Sequence, residues 1–175
     1  MKNASTFRVV LTALFAALVC VATMTIRIPS PTGGYLNLGD GIVLLSAFLL
    51  GPVYGTLAVG VYLLLGAAGL PVFSGFTGGI GRFIGPTGGF LWGFLLLAAG
   101  CGLVRGRSLP LRFLPGLAGL LLCPLLGVWW YARTAGPAFP AAALSVSIPF
   151  LPKDVSSLVF ALAFARLLEK RGVLR

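Results

Sequence analysis

Residues Gly66–Phe94 read GAAGLPVFSGFTGGIGRFIGPTGGFLWGF, a glycine-dense stretch with two prolines and a single charge, Arg82. It lies between two apolar runs, each long enough to be read as membrane-crossing. Irregular backbone at membrane depth survives only where protein buries it or where it lines a cavity. Glycine also lets backbone approach a bound molecule closely, and a plain connection between two helices needs only a few residues. The stretch is therefore read as the lid or wall of a small-molecule pocket rather than as a turn.

Outward from that stretch, the composition is that of an integral membrane protein. The 175 residues are 58% hydrophobic and 9% charged, with a mean hydropathy of +1.05, whereas a soluble domain carries about 25% charged residues. A spanning helix takes about 20 apolar residues, so the length allows five or six spans and no separate soluble domain. The net charge of +10 sits at the ends of apolar runs, where topology signals and headgroup contacts are expected. No basic stripe with interleaved aromatics points to nucleic acid.

Histidine is absent and the acids are Asp40, Asp154 and Glu169. That argues against metal sites, catalytic triads and paired-carboxylate hydrolysis; no metal, cofactor or catalytic residue is expected. Cys20, Cys101 and Cys123 lie in apolar runs without CxxC spacing and are read as reduced packing residues. Gly85-Pro86-Thr87-Gly88-Gly89 lacks the lysine of a phosphate-binding loop, so the chain is not expected to hydrolyse ATP.

The N-terminal run Val9–Ile26 is long for a signal peptide and no small-x-small cleavage site follows it before Arg27, so it is read as a retained helix. Six spans are expected: about Phe7–Ile26, Asn37–Leu50, Val53–Gly69, Thr87–Val104, Phe113–Tyr131 and Lys153–Leu168. The second is short and is expected to start inside the bundle. Gly51-Pro52 turns into the third. Arg27–Leu38 and Arg133–Pro140 read as loops, Ala141–Ile148 as a short helix. Arg105, Arg107 and Arg112 mark a polar loop, and Pro124 a kink. The expected fold class is an all-α integral membrane protein of six transmembrane helices in one membrane domain, residues 1–175.

Six spans put both termini on one side with Lys2, Arg8, Arg105, Arg107, Arg112, Arg166, Lys170, Arg171 and Arg175, nine of the thirteen cations. The positive-inside rule makes that side cytoplasmic, in a multi-pass protein of the cell membrane. The glycine-rich stretch, the Asn37–Asp40 segment and Lys153-Asp154 then share the outer face, as a ligand site open to the exterior requires.

Asp154 opens the last span. It is either a first-turn acid favoured by the helix dipole or an intramembrane carboxylate that accepts hydrogen bonds from a ligand. Lys153 either snorkels to headgroups or joins the site. Asn37 and Asp40 read as a helix start, with Asn37 as the alternative donor and acceptor for an amide-like ligand. Arg82 either meets headgroups or binds a carboxylate at two points. Trp129, Trp130 and Tyr131 form an interfacial belt from which one ring could cover a ligand. Phe76, Thr87 and Tyr131 complete the candidate ligand-binding set. Ala13 and Ala17 give a small-residue spacing that permits close approach of another helix.

The wording GLPVFSGFTGGIGRFIGPTGGFLWGF, preceded by YLLLG, resembles the signature of the BioY family, the substrate-binding S components of energy-coupling factor (ECF) biotin transporters. The resemblance runs from about Leu49 to Leu96 and returns at Cys123–Trp130 and Pro149–Asp154. It implies a six-helix S component that binds biotin in its outer half, with a transmembrane coupling subunit and two ATPase subunits as partners. It also implies that Asp154 meets the ligand and that Ala13 and Ala17 dock on the coupling subunit. Many members carry lysine three residues after this aspartate; here Ser157 stands there, leaving Lys153 or Arg82 to supply the cation. The first loop, GGYLNLGD, looks more like S components for other vitamins. The competing readings are an S component for another small vitamin, a lipid-acting membrane enzyme, or an assembly subunit.

Overall fold

Long apolar runs broken by glycine and proline give six helices whose bounds fall among the described residues of a computed structural model, 2–25, 28–29, 35–36, 38–136, 141 and 151–171. They are α1 Lys2–Thr25, α2 Gly39–Ala67, α3 Gly81–Ile84, α4 Gly88–Gly102, α5 Leu109–Ala135 and α6 Leu151–Lys170. Two-residue strands β1 Ile28–Pro29 and β2 Tyr35–Leu36 pair antiparallel between α1 and α2, where the sequence suggested only a loop. Ser5–Thr25, Gly39–Ala67 and Leu109–Ala135 are long and apolar enough to cross a membrane. α4 is shorter, and α6 carries Lys153, Asp154, Arg166, Glu169 and Lys170.

α2 is two limbs. Gly51 leaves the helix at φ 82°, ψ −175° and Pro52 follows. A glycine at positive φ with extended ψ, a region open essentially to glycine, ends the first limb, and proline starts the next with φ already set and no N–H to satisfy. The limbs fold back on each other: a Cβ on Gly55 would sit 2.9 Å from Ala47 Cα, whereas eight residues of continuous helix would separate the two by about 12 Å. The first limb is the centre of the molecule. Val43, Leu44, Ala47 and Phe48 have no exposed surface, and α2 packs against α1, α4 and α6. This matches the expectation that the short second run starts inside the bundle.

The chain therefore runs back and forth between two ends. At one end Arg105 donates to Leu50 O at 3.1 Å, and Arg112 pairs with Glu169 at 2.9 Å. At the other, Thr23 donates to Val72 O at 2.8 Å, Trp130 to Gly85 O at 2.9 Å, and Lys153 to Asp40 at 2.7 Å.

Three expectations change. Arg112 is not in a loop: α5 starts at Leu109 because Ser108 is extended and a proline occupies its first turn, and Arg112 is buried. α5 continues as one helix with Pro115 and Pro124 inside it. The third run stops at Ala67, with Ala68 capping onto Leu64 O and Gly66 O. Asn37, Arg27 and, apart from Ala141, the short helix at 141–148 lie outside the described residues. Cys20, Cys101 and Cys123 are free and buried, as their apolar setting required.

Candidate functional site

Two helix starts meet in the interior and carry two of the three buried charged residues among the described ones, Asp40 and Asp154. Asp40 lies in the first turn of α2 and Asp154 in the first turn of α6, where the helix dipole favours an anion. Gly41 lets these turns close: a Cβ there would stand 3.3 Å from Ser157 Cβ. Between the carboxylates lies the Lys153 ammonium, which donates to Asp40 Oδ1 at 2.7 Å and stands 2.7 Å from Asp154 Oδ1. Side-chain exposure is 7% for Asp40, 10% for Asp154 and 11% for Lys153.

Burying charge costs free energy unless the ions are paired and hydrogen-bonded. One ammonium here faces two carboxylates, each of them also at a helix start. Asp40 Oδ2 and Ser157 Oγ are buried without a hydrogen-bond partner among the described residues. The cluster thus offers an unused carboxylate acceptor and an unused hydroxyl. It is suited to a polar group that presents N–H donors beside a carbonyl.

The glycine-rich stretch forms the second part. It folds on itself through the Phe73–Thr77 bridge and a bond from Gly79 N to Gly66 O at 2.7 Å. Phe73 enters the core beneath Gly66, where a Cβ would overlap its ring. An edge-on aromatic series Tyr62–Phe73–Phe83–Trp92, with centroids 5.4, 5.8 and 5.5 Å apart, ties the stretch to α2 and α4. Trp130 fixes it to α5 through Gly85 O. Its outer surface holds an open concavity of about 450 Å³ lined by Gly78, Gly81, Arg82, Gly85, Pro86 and Thr87, within the range of small-molecule sites.

Of the candidates read from the sequence, Lys153 and Asp154 come together in the buried cluster, and Arg82 and Thr87 share the concavity. Among the described residues no ion pair joins Arg82 to that cluster. Phe76 projects at the tip, 54% exposed, at a positive φ of 53°. Tyr131 is half-buried next to Trp130. Ala13 and Ala17 are exposed on α1 while Ala16 is buried. Asp40 and Ser157 were not singled out as site residues. Asp40 had a signal: it is one of three acids in the chain and opens an otherwise apolar run. Ser157 had two: it stands where many members of the family that the chain resembles carry lysine, and it lies one turn after Lys153 on the same helical face.

Comparison with known proteins bears on this arrangement. The model of the BioY family matches residues 1–172. A probable biotin transporter BioY of Pyrococcus horikoshii is 39% identical over 161 residues, 91% of this chain and 94% of that protein. The biotin transporter BioY of Thermotoga maritima is 43% identical over 139 residues, 76% of this chain and 79% of that protein. Among solved structures, the crystal structure of the S-component for biotin from an ECF-type ABC transporter superposes with a TM-score of 0.88. It is 24% identical in sequence, and the match covers 97% of this chain and 94% of that one, so the fold is shared.

Proposed function

This chain belongs to the BioY family, and from that premise we propose that it is the membrane-embedded S component of an ECF-type biotin transporter, capturing biotin from outside. It is a multi-pass protein of the cell membrane and a binding subunit rather than an enzyme. Its partners are a transmembrane coupling subunit and two ATPase subunits, and the exposed Ala13 and Ala17 form the face that docks on the coupling subunit. Counting both limbs of α2, six helical runs form the transmembrane bundle, with the short first limb held inside it by the others. The arginine-rich end, with nine of the thirteen cations, faces the cytoplasm together with both termini.

The observation that carries the ligand assignment is the buried Asp40–Lys153–Asp154 cluster with its unpartnered Asp40 Oδ2 and Ser157 Oγ. A cyclic urea presents two N–H donors flanking one carbonyl. Asp40 and Asp154 accept those N–H groups, and the Ser157 hydroxyl donates to the carbonyl. Lys153 reaches the position of the family's lysine from one turn earlier on the same face and stands between both carboxylates. The valerate tail runs outward to the concavity, where Arg82 receives its carboxylate at two points. Phe76, Thr87 and Tyr131 line its path, and Asn37 remains a candidate at the start of α2.

Calorimetric titration of the purified protein tests this. Biotin should bind at micromolar concentration or below, and biotin methyl ester about 10-fold or more weaker, as loss of a charged hydrogen bond implies. Absence of biotin binding, with another small vitamin released on denaturation, would transfer the site to that vitamin. Equal binding of the ester would remove Arg82 from it.

A further inference from the structure

We propose that the arginine end of the bundle is a binding site for a phosphate oxyanion, supplied either by the phosphodiester of an anionic phospholipid or by free phosphate. Arg112 anchors it. Its side chain is 4% exposed between α5 and α6, and its ion-pair partner is Glu169, itself 34% exposed, at 2.9 Å from Nη1. That contact lies off the line a hydrogen bond needs: Nη1 and Nε are both buried without an acceptor among the described residues. A buried guanidinium with unused N–H groups is costly, and the fork made by Nε and the terminal nitrogens matches two oxygens of a phosphate.

Two further arginines reinforce the charge. Arg105 lies within electrostatic reach of Arg8, Arg112 and Glu169. One of its N–H groups is engaged with Leu50 O, out of the five a guanidinium carries. Arg8 stands over the ring of Tyr54, 5.8 Å from its centroid, beside the Gly51 turn. Arg105 thus feels two other guanidiniums and one carboxylate. The two other acidic side chains of the sequence are engaged elsewhere. Asp40 and Asp154 hold Lys153 at the opposite end, and Asp154 is about 22 Å from Glu169 along α6 at 1.5 Å per residue. An oxyanion from outside would balance this charge, and basic pockets between membrane helices hold lipid phosphates in this way. Arg107, Arg166 and Arg171 are exposed and account only for diffuse attraction to a charged surface.

The test uses the full chain in a neutral detergent, titrated separately with phosphatidylglycerol, phosphatidylcholine and inorganic phosphate. Melting temperature and one-to-one adducts by native mass spectrometry are the readouts. Phosphatidylglycerol should raise the melting temperature saturably where phosphatidylcholine does not. R105Q and R8Q, which leave Arg112 in place, should each weaken that response about 10-fold or more, while R171Q leaves it unchanged. R112K, if it folds, keeps the charge but not the fork and should weaken it too. Saturation by phosphatidylglycerol alone assigns the site to lipid; saturation by inorganic phosphate alone assigns it to the free oxyanion. If neither saturates, or if R171Q weakens the response as much as R105Q, the proposal is overturned. Each variant is also titrated with biotin, so damage to the vitamin pocket is read separately.

Discussion

Replacing Lys153 with methionine should damage this protein in a different way from replacing either aspartate beside it. A methionine side chain would keep most of the volume but leave Asp40 and Asp154, 7% and 10% exposed, with no cation. Removing one partner of a buried ion pair costs about 3–5 kcal/mol. For a chain of this size about 2–4 °C of melting temperature goes with each kcal/mol, so Lys153→Met should melt about 6–20 °C below the parent. Asp154→Asn is the contrasting case. It leaves Lys153 paired with Asp40 at 2.7 Å, a one-to-one pair in place of an excess negative charge. Its effect on stability should stay within about 1 kcal/mol, the scale of one hydrogen bond. Ligand binding should separate the two in the other direction. Asp154→Asn and Asp40→Asn each remove a charged acceptor worth about 1.5–3 kcal/mol, so biotin affinity should fall about 10- to 150-fold. Ligand-free melting in detergent and calorimetric titration measure the two effects independently. The reasoning fails if Lys153→Met melts with the parent. It also fails if both asparagine variants bind biotin as well as the parent while remaining folded, for then the carboxylates serve only as first-turn acids.

Gly51→Ala should lower stability by about 1–3 kcal/mol, the cost of a backbone region open essentially to glycine alone, because Gly51 has φ 82° with ψ −175° and the Arg105 stem stands 3.0 Å from the added atom; unchanged melting would refute that. Trp130→Phe removes the bond to Gly85 O, worth about 0.5–1.5 kcal/mol, and should speed amide exchange across residues 78–88 while leaving the first limb of α2 protected. Ala13→Trp should abolish co-elution with the coupling and ATPase subunits and spare biotin binding; normal assembly would place the docking face elsewhere.

Local chemistry made the architecture legible. Gly51-Pro52 announced a helix end and a helix start in two adjacent residues, and the glycine-rich stretch announced irregular backbone near a site. The short second run was expected inside the bundle, and its first limb is buried on all sides. Asp154 and Lys153 could be singled out because charge is scarce in this chain. Their pairing with Asp40 could not, since 113 residues separate Lys153 from Asp40 and only the packing of α2 on α6 sets the distance. Arg112 was misplaced for a related reason. Three arginines within eight positions read as a polar loop, but the helix start at Leu109 turns one of them inward against Glu169. The alanines were found by spacing, but which of them faces outward depends on the rotation of α1 against α2.

The broken α2 also constrains how the protein is made. Its first limb, about 12 residues and ~18 Å long, is too short for a hydrocarbon layer of about 30 Å and carries Asp40 at its leading end. It cannot be handed to lipid as an independent segment when it leaves the insertion machinery. The limb beyond Pro52, with Val53, Leu57, Val61 and Leu64 exposed along one side, presents the lipid-compatible surface that the first limb lacks. The two limbs are suited to enter the bilayer together as a hairpin, and Asp40 gains its lysine only when α6, synthesised more than a hundred residues later, packs against α2.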